Sequence, residues 1–455
     1  MVYPFKRHAC REDEEEGHLS SSTFGLFHSS PLPIFSNERM RPSSTRKDTP
    51  WSVNLGAVPP LLLFLVLSTI ISLFILYSPN PNRLHLDLDP NPNPRPHHLG
   101  KDEAHEDCDL SEGRWVPDTR GPPYTNWSCR TIPESKDCFM HGRRDRDFLN
   151  WWWKPDKCEL PRLDPKAFLE MVRGKTMAFI GDSVARNHME SLLCLLSQEE
   201  TPLDVYKDSE DRFRTWLFSE HDFTLKVLWS KFLVAGEETT INGTLSGTFE
   251  LRVDRVDEKW ASELPRFDYA VISSGHWFFR KMYVYDGPGL VGCVYCSDPN
   301  VTSFGPEQAL RLAMRTSFGH IARCEGCKPG LVTVLRTFSP AHFENGEWNT
   351  GGTCNRTGPR EPGPESGVWQ RQFRDTQVEE MNRARATLGG RGRRRFGVVD
   401  VTVPMTMRPD GHPGEFWSKW MKGYSDCVHW CLPGPIDVWS DFLMWTLRRS
   451  GGRGH

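Results

Sequence analysis

The sequence predicts an α/β fold, a mostly parallel sheet flanked by helices. Three observations predict it. Short apolar runs recur along the chain: Thr176 to Gly181, Tyr269 to Ser274, Leu331 to Thr337 and Phe396 to Thr402. Helical patterns separate them, at Glu307 to Ala322 and Val368 to Leu388, and a last one closes the chain at Asp437 to Arg449. The runs have few polar interruptions, as expected of strands covered on both faces.

Five segments follow in order. Residues 1–54 are polar, with an acidic patch at Glu12 to Glu16, and read as a disordered cytosolic tail. Residues 55–77 are apolar and uncharged, and would span ~34 Å as a helix, enough for a bilayer core. About 50 residues precede this stretch, too many for a cleaved leader of ~15–30 residues, so it reads as a signal anchor. Lys6, Arg7, Arg11, Arg39, Arg41, Arg46 and Lys47 lie before it, which predicts a cytosolic N-terminus and a lumenal C-terminal part. Residues 78–107, dense in Pro, Asn and His, read as a semi-rigid stalk. Residues 108–163, with four cysteines and little periodicity, read as a disulfide-tied, loop-rich cap. Residues 164–455 carry the alternating strands and helices. Pro165 to Arg173 reads as the helix that leads into the first strand, and Phe213 to Glu250 as further strands, because Phe223-Thr-Leu-Lys-Val-Leu-Trp229 alternates.

Cysteine usage agrees with a lumenal address. Cys10 is alone before the anchor and twelve cysteines follow it, which reads as disulfides of undetermined pairing. Cys293-x-x-Cys296 and Cys324-x-x-Cys327 keep a zinc site open as a rival, and no metal is expected. Four sequons, at Asn126, Asn242, Asn300 and Asn355, would be glycosylated there. A net charge of -3 argues against nucleic acid as a partner.

Two stretches carry chemistry. At Gly181-Asp-Ser183 a strand turns tightly into a helix, with Met189, Leu192, Leu193 and Leu196 at helical spacing. Ser183 sits where helix amides are unpaired, and can be a nucleophile or part of a cap; Asp182 suits the cap better. Near the end, Asp426 and His429 are three apart and framed by Cys427 and Cys431. A carboxylate so spaced can orient an imidazole, which then serves as base for a serine elsewhere.

Gly181-Asp-Ser183 with Asp426-x-x-His429 resembles the SGNH/GDSL-like esterase superfamily. Phe179-Ile-Gly-Asp-Ser-Val-Ala-Arg-Asn187, Ser274-Gly-His-Trp-Phe278, Arg336-Thr-Phe-Ser-Pro-Ala-His-Phe343, Trp348-Asn-Thr-Gly-Gly-Thr-Cys354 and Arg408-Pro-Asp-Gly-His-Pro-Gly414 narrow the resemblance. It is to the plant trichome birefringence-like family of Golgi polysaccharide O-acetyltransferases, over roughly residues 108–449. Cys138-Phe-Met-His-Gly-Arg-Arg and Asp254-Arg-Val-Asp-Glu are similar to the clade that acetylates xyloglucan.

The resemblance implies an SGNH-hydrolase-like fold, a Golgi membrane address of single-pass type II, and a double displacement through acetyl-Ser183. Asp426 and His429 complete the triad, and the acceptor is a hemicellulose, xyloglucan first. No cofactor stays bound; an acetyl donor is required, either acetyl-CoA or a membrane-delivered carrier. The Ser183 amide, Gly275, Asn187 and Arg186 are oxyanion candidates. At Gly275 the chain departs from the superfamily, with Ser273-Ser-Gly-His-Trp277 where its hydrolases often have Gly-x-Asn. His276, Trp277, Trp348 and His412 are candidates for the acceptor. Acetylation of xylan or glucomannan, an acetylesterase and a non-catalytic glycan-binding protein are the alternatives.

Overall fold

The computed structural model describes residues 108–361, 367–388, 395–421 and 423–451. The expected tail, anchor and stalk lie outside them, and among the described residues no helix is long and apolar enough to cross a membrane.

The first strands, β1 (Gly113–Pro117) and β2 (Trp151–Pro155), pair antiparallel with Trp115 opposite Trp153. Helix α1 (Pro165–Met171) starts at Asp164, whose side chain accepts from the Ala167 amide. Then come β3 (Thr176–Gly181), α2 (Ser183–Leu196), β4 (Leu203–Lys207), β5 (Phe213–Phe218), β6 (Phe223–Trp229), β7 (Val234–Ile241) and β8 (Thr244–Val256). After α3 (Glu258–Ala261) follow β9 (Tyr269–Ser273), β10 (Lys281–Asp286), β11 (Gly289–Val294), β12 (Ser303–Phe304), α4 (Pro306–Arg323) and β13 (Val332–Arg336). The chain ends with α5 (Val368–Thr387), β14 (Arg395–Val399), α6 (Thr402–Thr406) and α7 (Val438–Gly451).

The principal sheet has the order β14-β13-β9-β3-β6-β5-β4. Neighbours from β14 to β6 run parallel, and β5 and β4 add an antiparallel edge. Successive side chains of a strand point to opposite faces, and β3 feeds a core on each. Met177 and Phe179 join Leu192, Leu193 and Leu196 of α2 and Trp439, Phe442 and Leu443 of α7. Ala178 and Ile180 join Leu310, Met314 and Phe318 of α4. The expected parallel sheet with two covered faces is present.

A second sheet, of order β12-β11-β10-β8-β7, is a correction to the expected single sheet. Its strands bury alternate residues, Met282 and Val284 on β10 and Phe249, Leu251 and Val253 on β8, against α4. The period of two was visible in Met282-Tyr-Val-Tyr285, but nothing local tells one half-buried strand which sheet it joins.

The twelve cysteines among the described residues are all paired: Cys108–Cys158, Cys129–Cys194, Cys138–Cys431, Cys293–Cys296, Cys324–Cys327 and Cys354–Cys427. The two CxxC pairs close on themselves, so their sulfurs are not free to ligate zinc. Asn242, Asn300 and Asn355 are exposed, whereas the Asn126 amide donates to Asp137 at 3.2 Å.

The 108–163 segment is joined to the rest by a buried carboxyl. Tyr124 Oη and Ser191 Oγ donate to Asp437 Oδ1 at 2.7 and 2.6 Å, and the Gly434 amide donates to Oδ2 at 3.1 Å. Burial pushes Asp437 up to about 6 against these donors. The folded value lies above the unfolded one of ~3.9, so the fold favours the protonated form. The stabilisation is complete below pH ~4 and is lost as pH rises through about 6. Asp437→Asn removes this dependence. Its unfolding free energy relative to wild type will shift in its favour by about 2–3 kcal/mol between pH 4 and pH 7. Denaturant unfolding of both proteins at the two pH values checks this.

Candidate active site

The site forms where β3, β9 and β13 end at the carboxyl edge of the sheet, where open α/β sheets place their ligands. Gly181 makes the turn possible. Its φ is +151°, and a Cβ there would fall 1.7 Å from the Ser273 carbonyl oxygen on the neighbouring strand. Asp182 then starts α2, accepting from the Val184 and Ala185 amides at 3.0 and 3.4 Å through Oδ1. Its Oδ2 accepts from the Gly275 amide at 3.1 Å, which ties the β3 turn to the β9 turn. Asp182 is therefore a brace, as expected of a cap. Ser183, half-buried, begins the helix, and its amide has no intrahelical acceptor.

The second half of the site is the loop 426–431. His429 Nδ1 lies 2.8 Å from Asp426 Oδ2, and Asp426 Oδ1 accepts from the Val428 and His429 amides at 3.1 and 3.0 Å. Burial alone would raise the Asp426 carboxyl, but the charge and hydrogen bonds of His429 outweigh it and hold the group well below the usual carboxylate range. The other ring nitrogen, His429 Nε2, is buried without a hydrogen-bond partner among the described residues. An imidazole oriented by a carboxylate, with its far nitrogen unengaged, is suited to take a proton.

This loop is fastened along its length. The Gly414 and Asp426 backbones pair, Cys427 is bonded to Cys354, and Cys431 is bonded to Cys138. Asn187 adds the link that matters for chemistry. It lies one helical turn after Ser183, on the same face. Its Oδ1 accepts from the Trp430 amide at 2.8 Å and its Nδ2 donates to the Trp430 carbonyl at 3.3 Å. The helix that begins at Ser183 thus grips the residue next to His429.

Several expected roles are corrected. Asn187 is not free for an oxyanion, because both ends of its amide serve Trp430. Arg186 faces Glu190 at 2.8 Å and Asp211 at 3.0 Å. The Gly275 amide is taken by Asp182. His412 is buried, with one ring nitrogen 2.7 Å from the His429 carbonyl and the other 2.7 Å from His342, so it cannot meet an acceptor. Of the oxyanion candidates, the Ser183 amide alone keeps its place.

His276 does lie at the site. Its Nδ1 is 3.9 Å from Asp182, its ring stacks on Phe338 at 4.7 Å, and Nε2 has no partner among the described residues. Burial pushes it down to about 4 against the pull of Asp182, with Arg336 and His429 adding to the fall. Trp277 is half-buried, with Lys231 Nζ 4.5 Å from its ring, and Trp348 is exposed, with the Arg280 guanidinium 3.7 Å from its ring.

Three supporting residues were not foreseen. Arg336, fully buried, donates to Ser273 Oγ at 2.7 Å and is pushed down by burial to about 10. Gln377 bridges the two strand-end loops, donating to the Ser274 carbonyl at 2.8 Å and accepting from the Phe338 amide at 2.7 Å. His342 backs His412. Arg336 and His342 stand in a quoted stretch, Arg336 to Phe343, so the signal was present without its meaning.

Comparison with known proteins decides the family. Residues 160–446 match PC-Esterase, described as a GDSL/SGNH-like Acyl-Esterase family found in Pmr5 and Cas1p. The chain belongs to the PC-Esterase family. Residues 106–159 match the PMR5 N terminal Domain. A xyloglucan O-acetyltransferase 4 of Populus trichocarpa is 57% identical over 390 residues, 85% of this chain and 91% of that protein. A xyloglucan O-acetyltransferase 2 of Arabidopsis thaliana is 56% identical over 346 residues, 75% of this chain and 83% of that one. Protein trichome birefringence-like 20 of Arabidopsis thaliana is 43% identical over 346 residues, 75% and 72% of the two chains. This PC-Esterase member is thus an acyl-handling enzyme with trichome birefringence-like relatives.

Within that enzyme Asn187 carries a test. Asn187→Ala strands the buried Trp430 amide and carbonyl, at a cost of about 1–3 kcal/mol of stability. It also frees the His429 loop from the Ser183 helix, and turnover will fall about 10- to 100-fold at unchanged KM for the acetyl donor. Asn187→Asp keeps the acceptor for the Trp430 amide and will fall between. Denaturant unfolding and steady-state kinetics check both.

Proposed function

We propose that the enzyme transfers acetyl groups to hydroxyls of a plant hemicellulose, with xyloglucan as first acceptor. The observation that carries the reading is the Asp426–His429 pair, tied by Asn187 to the helix that begins at Ser183. Ser183 Oγ attacks the acetyl carbonyl of the donor while His429 Nε2 takes its proton. The oxyanion forms beside the Ser183 amide. Its collapse expels the donor's leaving group, which receives the proton from His429, and acetyl-Ser183 remains. A sugar hydroxyl then gives its proton to His429 and attacks the ester, and Ser183 Oγ leaves with that proton. Asp426 holds the ring throughout and stabilises each imidazolium.

The names of the relatives support acetyl transfer to xyloglucan. Six disulfides support an oxidising lumen, in keeping with a Golgi membrane address set by an anchor at 55–77. His276, Trp277 and Trp348 line the acceptor's approach in this reading. The donor is acetyl-CoA or a membrane-delivered carrier. The test incubates the protein with each labelled acetyl donor and with xyloglucan, xylan and glucomannan oligosaccharides. Label on xyloglucan supports the reading. Label on none, with acetylated glycans losing acetate to water, makes the protein an esterase.

A further inference from the structure

The loop that bears the base rests on two buried imidazoles. His412 Nδ1 is 2.7 Å from the His429 carbonyl oxygen, and His412 Nε2 is 2.7 Å from His342 Nδ1. The far nitrogen, His342 Nε2, is 3.2 Å from the Thr406 carbonyl. His412 also packs on Trp430, with centroids 4.1 Å apart. The two residues are 2% and 7% exposed, so no water replaces a missing bond cheaply.

Two protons are shared among three contacts. A carbonyl only accepts, and a neutral imidazole brings one N–H. The line from the His429 carbonyl through both rings to the Thr406 carbonyl has three places for a hydrogen, and two neutral rings fill two. The nitrogen–nitrogen contact at 2.7 Å needs one, since two lone pairs repel there. The 2.7 Å contact to the His429 carbonyl needs the other. The place left empty is the longest contact, and the Thr406 carbonyl is already served by Arg360 Nε at 2.9 Å. Hydrogens on Nδ1 of both rings would serve the two shortest contacts.

A third proton would fill the last place. Burial opposes it on both rings and pushes His412 down to about 4. On His412 the charges of His429 and Arg143 act the same way, against the His429 carbonyl and the Asp426 carboxylate; on His342 those of His412, Arg360 and Arg356 do, against the Thr406 carbonyl.

We propose that His342 is a tautomer lock on His412. By occupying His412 Nε2 it keeps the His412 hydrogen on Nδ1, where that hydrogen holds the His429 carbonyl and so the ring of the base. His342 and His412 are positioning residues and touch no substrate. The inference rests on His429 being the base.

The experiment compares four variants with wild type. An asparagine amide reaches about where histidine carries Nδ1, and a glutamine amide about where it carries Nε2. His412→Asn and His342→Asn keep the two needed donors; His412→Gln and His342→Gln remove them. The glutamine variants will lose about 10- to 100-fold in turnover, with both KM values unchanged, and the asparagine variants will stay within about threefold. Nitrogen-15 spectra of the wild-type imidazoles at neutral pH will show both rings with hydrogen on Nδ1, and His342→Gln will shift His412 toward the other tautomer. A wild-type His412 with hydrogen on Nε2, full turnover in both glutamine variants, or an equal loss in all four would overturn the lock. The spectra need no substrate: a wild type with the stated tautomers but no acetylated Ser183 would sink the functional reading and leave the lock standing.

Discussion

Ser183→Ala will lower acetyl transfer to a sugar acceptor by about three orders of magnitude or more. The loss follows from chemistry, because no other hydroxyl stands at the start of α2 to carry the acetyl group. The fold will not change with it. The helix start is capped by Asp182, through the Val184 and Ala185 amides and the Gly275 amide, and none of these bonds involves the Ser183 side chain. The denaturant midpoint will therefore match wild type, and binding of a xyloglucan oligosaccharide will persist. Initial rates with labelled donor check the loss, and calorimetric binding checks the retained site. A variant with normal turnover removes Ser183 from the mechanism.

Asp426→Asn will have the next largest effect, a fall in turnover of about 10²- to 10⁴-fold. The carboxylate accepts from His429 Nδ1 at 2.8 Å, which leaves Nε2 with a lone pair for the serine proton. An asparagine that turned its amide toward Nδ1 would donate instead, drive the hydrogen to Nε2 and disable the base. One that turned its oxygen there would lose the charge that stabilises the imidazolium. Cys354–Cys427 and the Gly414 pairing hold the loop in either case, so the lesion is confined to proton transfer. Since Asp426 is held well below the usual range, acid will not protonate it while the protein is folded. An acid limb in the wild-type activity profile therefore belongs to another group. Stopped-time assays over a pH series measure both effects.

What the sequence showed, and what it did not, divides along local and non-local lines. The strand–turn–helix at Thr176 to Leu196 was legible because apolar period, turn glycine and cap residue all lie within one stretch. The Asp426–His429 pair was legible because three residues bring the two side chains together. Gly275 and Asn187 failed as oxyanion candidates for the opposite reason. What Gly275 and Asn187 bond is decided by Asp182 and Trp430, 93 and 243 residues away in the chain. His412 was misplaced as an acceptor contact because its burial depends on His342 and Trp430, which no spacing rule connects to it. The second sheet escaped for the same reason, since pairing partners of short alternating strands are set by distant chain.

An acetyl-enzyme on Ser183 distinguishes double displacement from direct transfer. The protein, given acetyl donor and no sugar, is quenched in acid and its peptides are weighed. One acetyl group on the peptide holding Ser183, absent in Ser183→Ala and lost on adding xyloglucan oligosaccharide as the sugar gains it, is the predicted result. Acetylated sugar formed at full rate with Ser183 never modified would contradict it.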